Sequence, residues 1–246
     1  MALTFFWRCE GTTLDATDDY YGASDNTATA AGTPAINATA ALIGSNGLQV
    51  DGASDHYQFN NQTNPTVFSS AGSVGFWIRW QAYTTGATHF YVRATTSDTQ
   101  SLRLSTLGTN RLRFQIRNDA SSHSLDMATM TIANATTYFC TASWDIAADL
   151  SRVRMYDSGG TLIEEATSTD DLAAAQPAAL DSTSGVRFGE MDGVASTCYI
   201  DNIFIGSAYA DADTFLTNRS ITSYTGYSTG GTPQHDPFVK ILFRAA

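Results

Sequence analysis

The chain has 246 residues, of which 43% are hydrophobic and 15% charged, enough apolar surface for a sizeable core and too little charge for a disordered polyelectrolyte. Thirteen basic residues stand against twenty-four acidic ones, a net charge of −11, which argues against nucleic-acid binding by phosphate neutralisation. A polyanionic glycan meets the same repulsion, so a neutral partner or a cation-bridged one is expected.

Strand signals are short, numerous and separated by turn residues. "LTFFWRCE" begins at residue 3, followed by "GLQVDG" and "HYQF". "SVGFWIRW" at 73–80 is bulky in both registers of a strand, so its second face is either covered or holds a ligand. "THFYVRA", "QSLRLSTL" and "NRLRFQIRN" come next. In the last of these Leu112, Phe114 and Ile116 alternate with Arg113, Gln115 and Arg117, the period of a half-buried antiparallel strand. "TYFCTASWD", "SRVRMYD", "GTLIEEA", "VRFGEM" and "CYIDNIFIG" complete the set. "LGTN" at 107–110 and "DSGG" at 157–160 read as hairpin connections. Helical periodicity is confined to "ADADTFLTN", while "TPAINATAALIG" is Ala-rich but laden with Thr.

Roughly a dozen evenly spaced strands without βαβ alternation predict an all-β fold, a two-sheet antiparallel jelly-roll sandwich. Trp7, Phe76, Ile78, Leu112, Phe114, Trp144, Met155 and Ile203 are its expected core. One domain is expected over residues 1–217, with 218–246 as a C-terminal extension. Gly226, Gly230, Gly231, Pro233 and Pro237 interrupt regular structure there, yet "FVKILFRAA" follows and needs covering. The extension either folds back on its own sandwich or pairs with another copy or a larger particle. The three cysteines, Cys9, Cys140 and Cys198, form no metal-type cluster and read as buried thiols of a reducing compartment. "MALTFFWRCEGTT" lacks the pattern of a secretory leader, and no apolar run is long enough for a membrane span.

The motifs "NGLQVDGASDHYQF", "SVGFWIRW", "TYFCTASWD", "RVRMYDSGG", "VRFGEMDG" and "YIDNIFIGSAYADADTF" occur in that order over roughly residues 3–217. This succession resembles the laminin-G-like branch of the concanavalin A-like lectin and glucanase fold. The stretch 11–45 and the tail after 217 depart from that pattern. The resemblance implies a lectin, an adhesion module, an enzyme or a structural domain, since the fold hosts all four. A chain of this kind without a leader also resembles the virion surface and attachment proteins of tailed phages. The implied partners are then a surface glycan or another virion protein, at the virion surface.

Three site readings follow from the resemblance. As a lectin, the chain would hold sugar on Trp77 or Trp80, whose flat faces suit C–H surfaces, with Arg113, Gln115 and Arg117 on one face of another strand. As a glycosidase it would need paired carboxylates. The best match, Glu190 and Asp192 in "FGEMDGVAS", lacks its third member, and Glu164 and Glu165 point to opposite faces. As a lyase it would use His56 with Tyr57, or His89 with Tyr91, beside the Arg and Gln row. A structural Ca²⁺ is expected on Glu10, Asp18, Asp19 and Asp201, because loop carboxylates near the first and last strands suit an oxygen-only shell. The leading expectation is a non-catalytic glycan- or protein-binding module, followed by a polysaccharide-degrading enzyme and a purely architectural protein.

Overall fold

The computed structural model describes residues 3–11, 13–14, 26–27, 29–59, 70–94, 97–108, 110–177, 186–189, 194, 196–206 and 209. Its first strands are β1 (Leu3–Trp7), a two-residue pair β2 (Thr13–Leu14) and β3 (Asn26–Thr27), then β4 (Thr29–Ala31) and β5 (Ala35–Asn37). Next come β6 (Gly47–Val50), β7 (His56–Phe59), β8 (Ala71–Ala82), β9 (Thr88–Ala94), β10 (Ser97–Leu107) and β11 (Arg111–Arg117). The rest are β12 (Ser122–Asp126), β13 (Thr137–Asp145), β14 (Leu150–Tyr156), β15 (Leu162–Ser168), β16 (Val186–Gly189) and β17 (Thr197–Gly206).

They form two large antiparallel sheets of a jelly-roll sandwich. The first runs β15-β14-β13-β8-β17-β6-β5, with β1 also pairing β17, and the second runs β12-β11-β10-β9-β16-β7-β4. Both expected hairpins are present, β10–β11 and β14–β15. In the second, Gly160 supplies φ +88° and the Asp157 carboxylate accepts from Thr161 N at 2.8 Å. The helix expected in "ADADTFLTN" falls outside the described residues. "TPAINATAALIG" gives β5 and a 3-10 turn at Ala38–Ala40. The stretch 11–45 is more than an insertion, because it adds an edge strand to each sheet, β4 to the second and β5 to the first.

The core lies between the sheets, and all eight residues expected there are buried in it. Aromatic side chains meet within it edge-on or tilted: Phe114 with Trp144 at 5.5 Å, Phe76 with Phe188 at 6.1 Å, Phe90 with Phe188 at 5.5 Å. The three cysteines are buried and unbridged. Burial in this apolar interior pushes the Cys140 thiol up, so it stays protonated.

Strand β8 is buried on both faces. Val74, Phe76, Ile78 and Trp80 enter the core. On the other side Trp77 packs with Phe139 at 5.2 Å, and Phe139 meets Phe204 and Tyr156, each at 6.3 Å. All four are at most 2% exposed. Tyr209 lies against the Arg152 guanidinium of β14.

Gly72 lets β8 approach the Trp144 indole, for a Cβ there would collide with the ring. Gly72→Ala should therefore destabilise the protein by roughly 1–3 kcal/mol through overpacking. A urea midpoint equal to that of the unaltered protein would contradict this contact.

Candidate functional site

The second sheet turns one side to the core and the other away from it. Leu102 and Leu104 of β10, Phe114 and Ile116 of β11, Phe90 and Val92 of β9, and Phe188 of β16 face the core. The residues between them therefore point outward. Cross-strand pairing aligns those residues in a single row. Gln58 of β7 faces Arg187 of β16, Arg187 faces Tyr91 of β9, and Tyr91 faces Arg103 of β10. Arg103 faces Gln115 of β11, and Gln115 faces Ser124 of β12.

Hydrogen bonds run along the row. Arg187 Nε donates to Gln58 Oε1 at 2.6 Å, and Arg103 Nε donates to Gln115 Oε1 at 2.6 Å. Gln115 Nε2 in turn donates to Ser124 Oγ at 2.9 Å. Each guanidinium plane is thus fixed by a glutamine carbonyl on the adjacent strand. Tyr91 and Gln115 lie lowest, at 4% and 7% exposed, with Gln58, Arg103 and Arg187 half-buried beside them. The row joins two hydroxyls, two amides and two planar cations, the groups that recognise oxygen-rich ligands.

Of the residues singled out in the sequence, Gln115 sits inside this row. Arg113 shares its face but makes a two-point pair with Asp126, Nε to Oδ1 at 2.7 Å and Nη2 to Oδ2 at 2.8 Å. That guanidinium holds the Asp126 carboxyl below the usual range. Arg117 lies one rung away, opposite Ser101 and Ser122. The two tryptophans are not on this face. Trp77 is in the covered outer layer of the first sheet, and Trp80 is fully buried in the core, so neither offers a ring face to a ligand. Arg103, Arg187, Gln58 and Ser124 are the members that sequence reasoning missed.

The residues of the enzyme readings are dispersed. His89 does not accompany Tyr91. A bulge opposite Leu104 and Ser105 turns it inward, where its Nε2 accepts from Trp80 Nε1 at 3.0 Å. Its Nδ1 then carries the proton and faces Cys198 Sγ at 3.7 Å. Complete burial lowers its pKa to about 3. His56 hydrogen-bonds the Ser54 carbonyl through Nδ1, and Tyr57 is buried in the core. Glu164 accepts from the amides of Ala128, Thr129 and Met130, while Glu165 pairs with Arg154 and Arg152. Glu190 and Asp192 lie outside the described residues.

The expected calcium carboxylates fare unevenly. Asp201 Oδ2 accepts from Leu42 N and Ile43 N, both at 2.8 Å, and its Oδ1 accepts from Asn202 N at 2.8 Å. Burial nevertheless pushes its pKa up to about 7 against those three donors, with the Glu10 charge adding to the rise. Glu10 Oε1 accepts from Ser45 N at 2.9 Å, so both carboxylates hold one turn, residues 42–45. Three N–H donors thus use three of the roughly four lone-pair positions of the Asp201 carboxylate. Asp18 and Asp19 lie outside the described residues, and among the described residues no group of three ligating side chains converges.

No family model matches the chain, and no curated protein matches it in sequence. Solved structures do match in fold. A botulinum neurotoxin type C structure, tied to interaction with two ganglioside molecules, superposes with TM-score 0.63 at 14% identity over 91% of this chain. The binding domain of botulinum neurotoxin DC in complex with SialylT gives TM-score 0.63 at 14% identity over the same share. With rat synaptotagmin II bound, that domain gives 0.62 at 13% identity, again over 91%. What they share with this chain is the fold. The chain spans about half of their length, 52% in each case. Among the described residues no helix is long and apolar enough to cross a membrane.

His89 gives a pH dependence with a definite sign. Its folded value lies below the ordinary 6.5, so its contribution is complete above pH 6.5 and is lost as pH falls toward about 3. His89→Gln, which can still accept from Trp80, should flatten the fall in urea midpoint between pH 7 and pH 4. An unchanged slope would show that His89 is not the buried neutral group described.

Proposed function

We propose that this chain is a non-catalytic binding module that engages a glycan or another protein through the outer face of its second sheet. The observation that carries the reading is the hydrogen-bonded row Gln58–Arg187–Tyr91–Arg103–Gln115–Ser124. Its polar groups are held in place by a rigid sheet before any ligand arrives, which lowers the ordering cost of binding. The dispersal of His56, His89, Glu164 and Glu165 supports a binding role over polysaccharide lysis or hydrolysis. The ganglioside and SialylT named for two of the similar structures, and the synaptotagmin of a third, support glycan or protein as the partner class.

Incubation with neutral and uronate polysaccharides should release neither reducing ends nor unsaturated uronate. A binding screen should show retention that Arg103→Ala weakens about tenfold or more, as expected when a central residue of a site is truncated. Turnover abolished by Tyr91→Phe would replace this reading with the lyase one. Binding untouched by Arg103→Ala would move the site elsewhere.

A virion-surface setting enters the proposal through residues 218–246, which lie outside the described residues. Truncation before Thr232 should leave a folded domain that has lost assembly with its partner. Unfolding or aggregation without a separable change in partner binding would remove the anchoring idea. Calcium is a separate proposal on Glu10, Asp18, Asp19 and Asp201. A melting temperature that rises from chelator to millimolar calcium supports it, and an unchanged one counts against it.

A further inference from the structure

Strand β8 is buried from Gly72 to Ile78, and that burial breaks at Arg79. Because Ile78 and Trp80 enter the core, Arg79 points to the outer face of the first sheet. Pairing sets it between Thr137 of β13 and Tyr199 of β17, and Tyr199 stands opposite Gln49 of β6. All four are half-buried, so the layer over Trp77 and Phe139 stops short of this row. The Arg79 Cζ lies 5.0 Å from the centre of the Tyr199 ring. Its Nη2 reaches the Thr39 carbonyl at 3.5 Å, and its Nε is buried without an acceptor. Among the described residues Arg79 has no carboxylate partner. From this we infer that the Arg79 row is a second docking surface, one that takes a carboxylate side chain of a partner protein. It lies on the opposite side of the sandwich from the second-sheet row and is independent of the reading given there.

Stacking on Tyr199 holds the guanidinium by its face and uses none of the N–H donors in its plane. Of these, Nε is out of reach and Nη2 leans toward Thr39, which leaves the Nη edge for an acceptor. A carboxylate presents two oxygens to that edge in one plane. One negative charge matches one arginine, whereas a phosphate or a polyanion calls on cations that the row lacks. Asp51, beyond Gln49, accepts from Gln49 Nε2 at 3.0 Å. Repulsion from the net charge of −11 is screened beyond about 8–10 Å at physiological ionic strength, so the contact pair decides. A guanidinium partly out of water also gains more from that pair than a fully exposed one. A protein suits the surface better than a sugar does. The Tyr199 face that Arg79 covers is closed to a sugar ring. The four side chains form a line about 14 Å long on one sheet face, where a small-molecule site would be a cleft. Arginine and tyrosine are also the residues that anchor protein interfaces.

The test is NMR of the full chain with a short peptide, its ends blocked, carrying one central glutamate, against the same peptide with glutamine. The buried Nε–Hε group of Arg79 is the reporter. Its resonance should move and saturate with the glutamate peptide, which should bind about tenfold tighter than the glutamine one. Raising the salt should weaken that binding. Arg79→Gln should lower it about tenfold at an unchanged melting temperature. Should that variant unfold, Arg79→Lys keeps the charge without the planar fork and should still weaken binding. An Arg79 resonance that stays in place, equal binding of the two peptides, or full glutamate binding by a folded variant would overturn the inference. So would 3′-sialyllactose moving Arg79 at a lower concentration than the peptide, which would assign the surface to an acidic sugar. An oligomer of the chain alone that Arg79→Gln dissolves would give the surface to a second copy and overturn the separate partner.

Discussion

Register is the constraint on which the rest depends. Side chains alternate across a strand, so whatever lies between Leu102 and Leu104, or between Phe114 and Ile116, is turned away from the core once those residues are buried. Interlocking of Phe114 with Trp144 and of Phe188 with Phe76 and Phe90 fixes where each strand of the second sheet stops sliding. A slip of one residue would drive Arg103 and Gln115 into the sandwich, at the cost of burying a charge without a partner. The apolar interior thus positions the polar row it never touches.

The first sheet obeys the same period with a different result. Its outward residues include Trp77, Phe139 and Phe204, which are as buried as the core itself. Asp201 lies in that sheet where β17 bulges and exchanges β6 for β1 as its neighbour, and its carboxylate ties the 42–45 turn to the strand. One sheet is therefore covered on both sides while the other has a polar outward face. The proposed partner surface is the polar face of the second sheet.

Local signals made the fold readable. Alternation in "NRLRFQIRN" and the turn residues in "LGTN" and "DSGG" act within a few positions, and the strands and hairpins they predict are present. The candidate site was readable only in part. Gln115 was visible as an outward residue, but its row draws Gln58, Tyr91, Arg103 and Arg187 from four other strands, and their alignment depends on long-range pairing. His89 misled for a physical reason: the bulge beside it reverses the parity that would have placed it with Tyr91. The tryptophans of "SVGFWIRW" were ambiguous because a strand with bulky residues in both registers does not say which side is covered. The stretch 11–45 lacked any strong period, and its edge strands β4 and β5 are three residues each.

The central claim is that the outward row of the second sheet meets the ligand. Arginine Nε–Hε resonances, followed by NMR during addition of an oligosaccharide that the chain retains, test it most directly. The resonances of Arg103 and Arg187 should move together and saturate at one ligand concentration, while those of Arg152 and Arg154, held by Glu165 on the first sheet, stay in place. Saturable shifts confined to the first sheet, with Arg103 and Arg187 unmoved, would contradict the account.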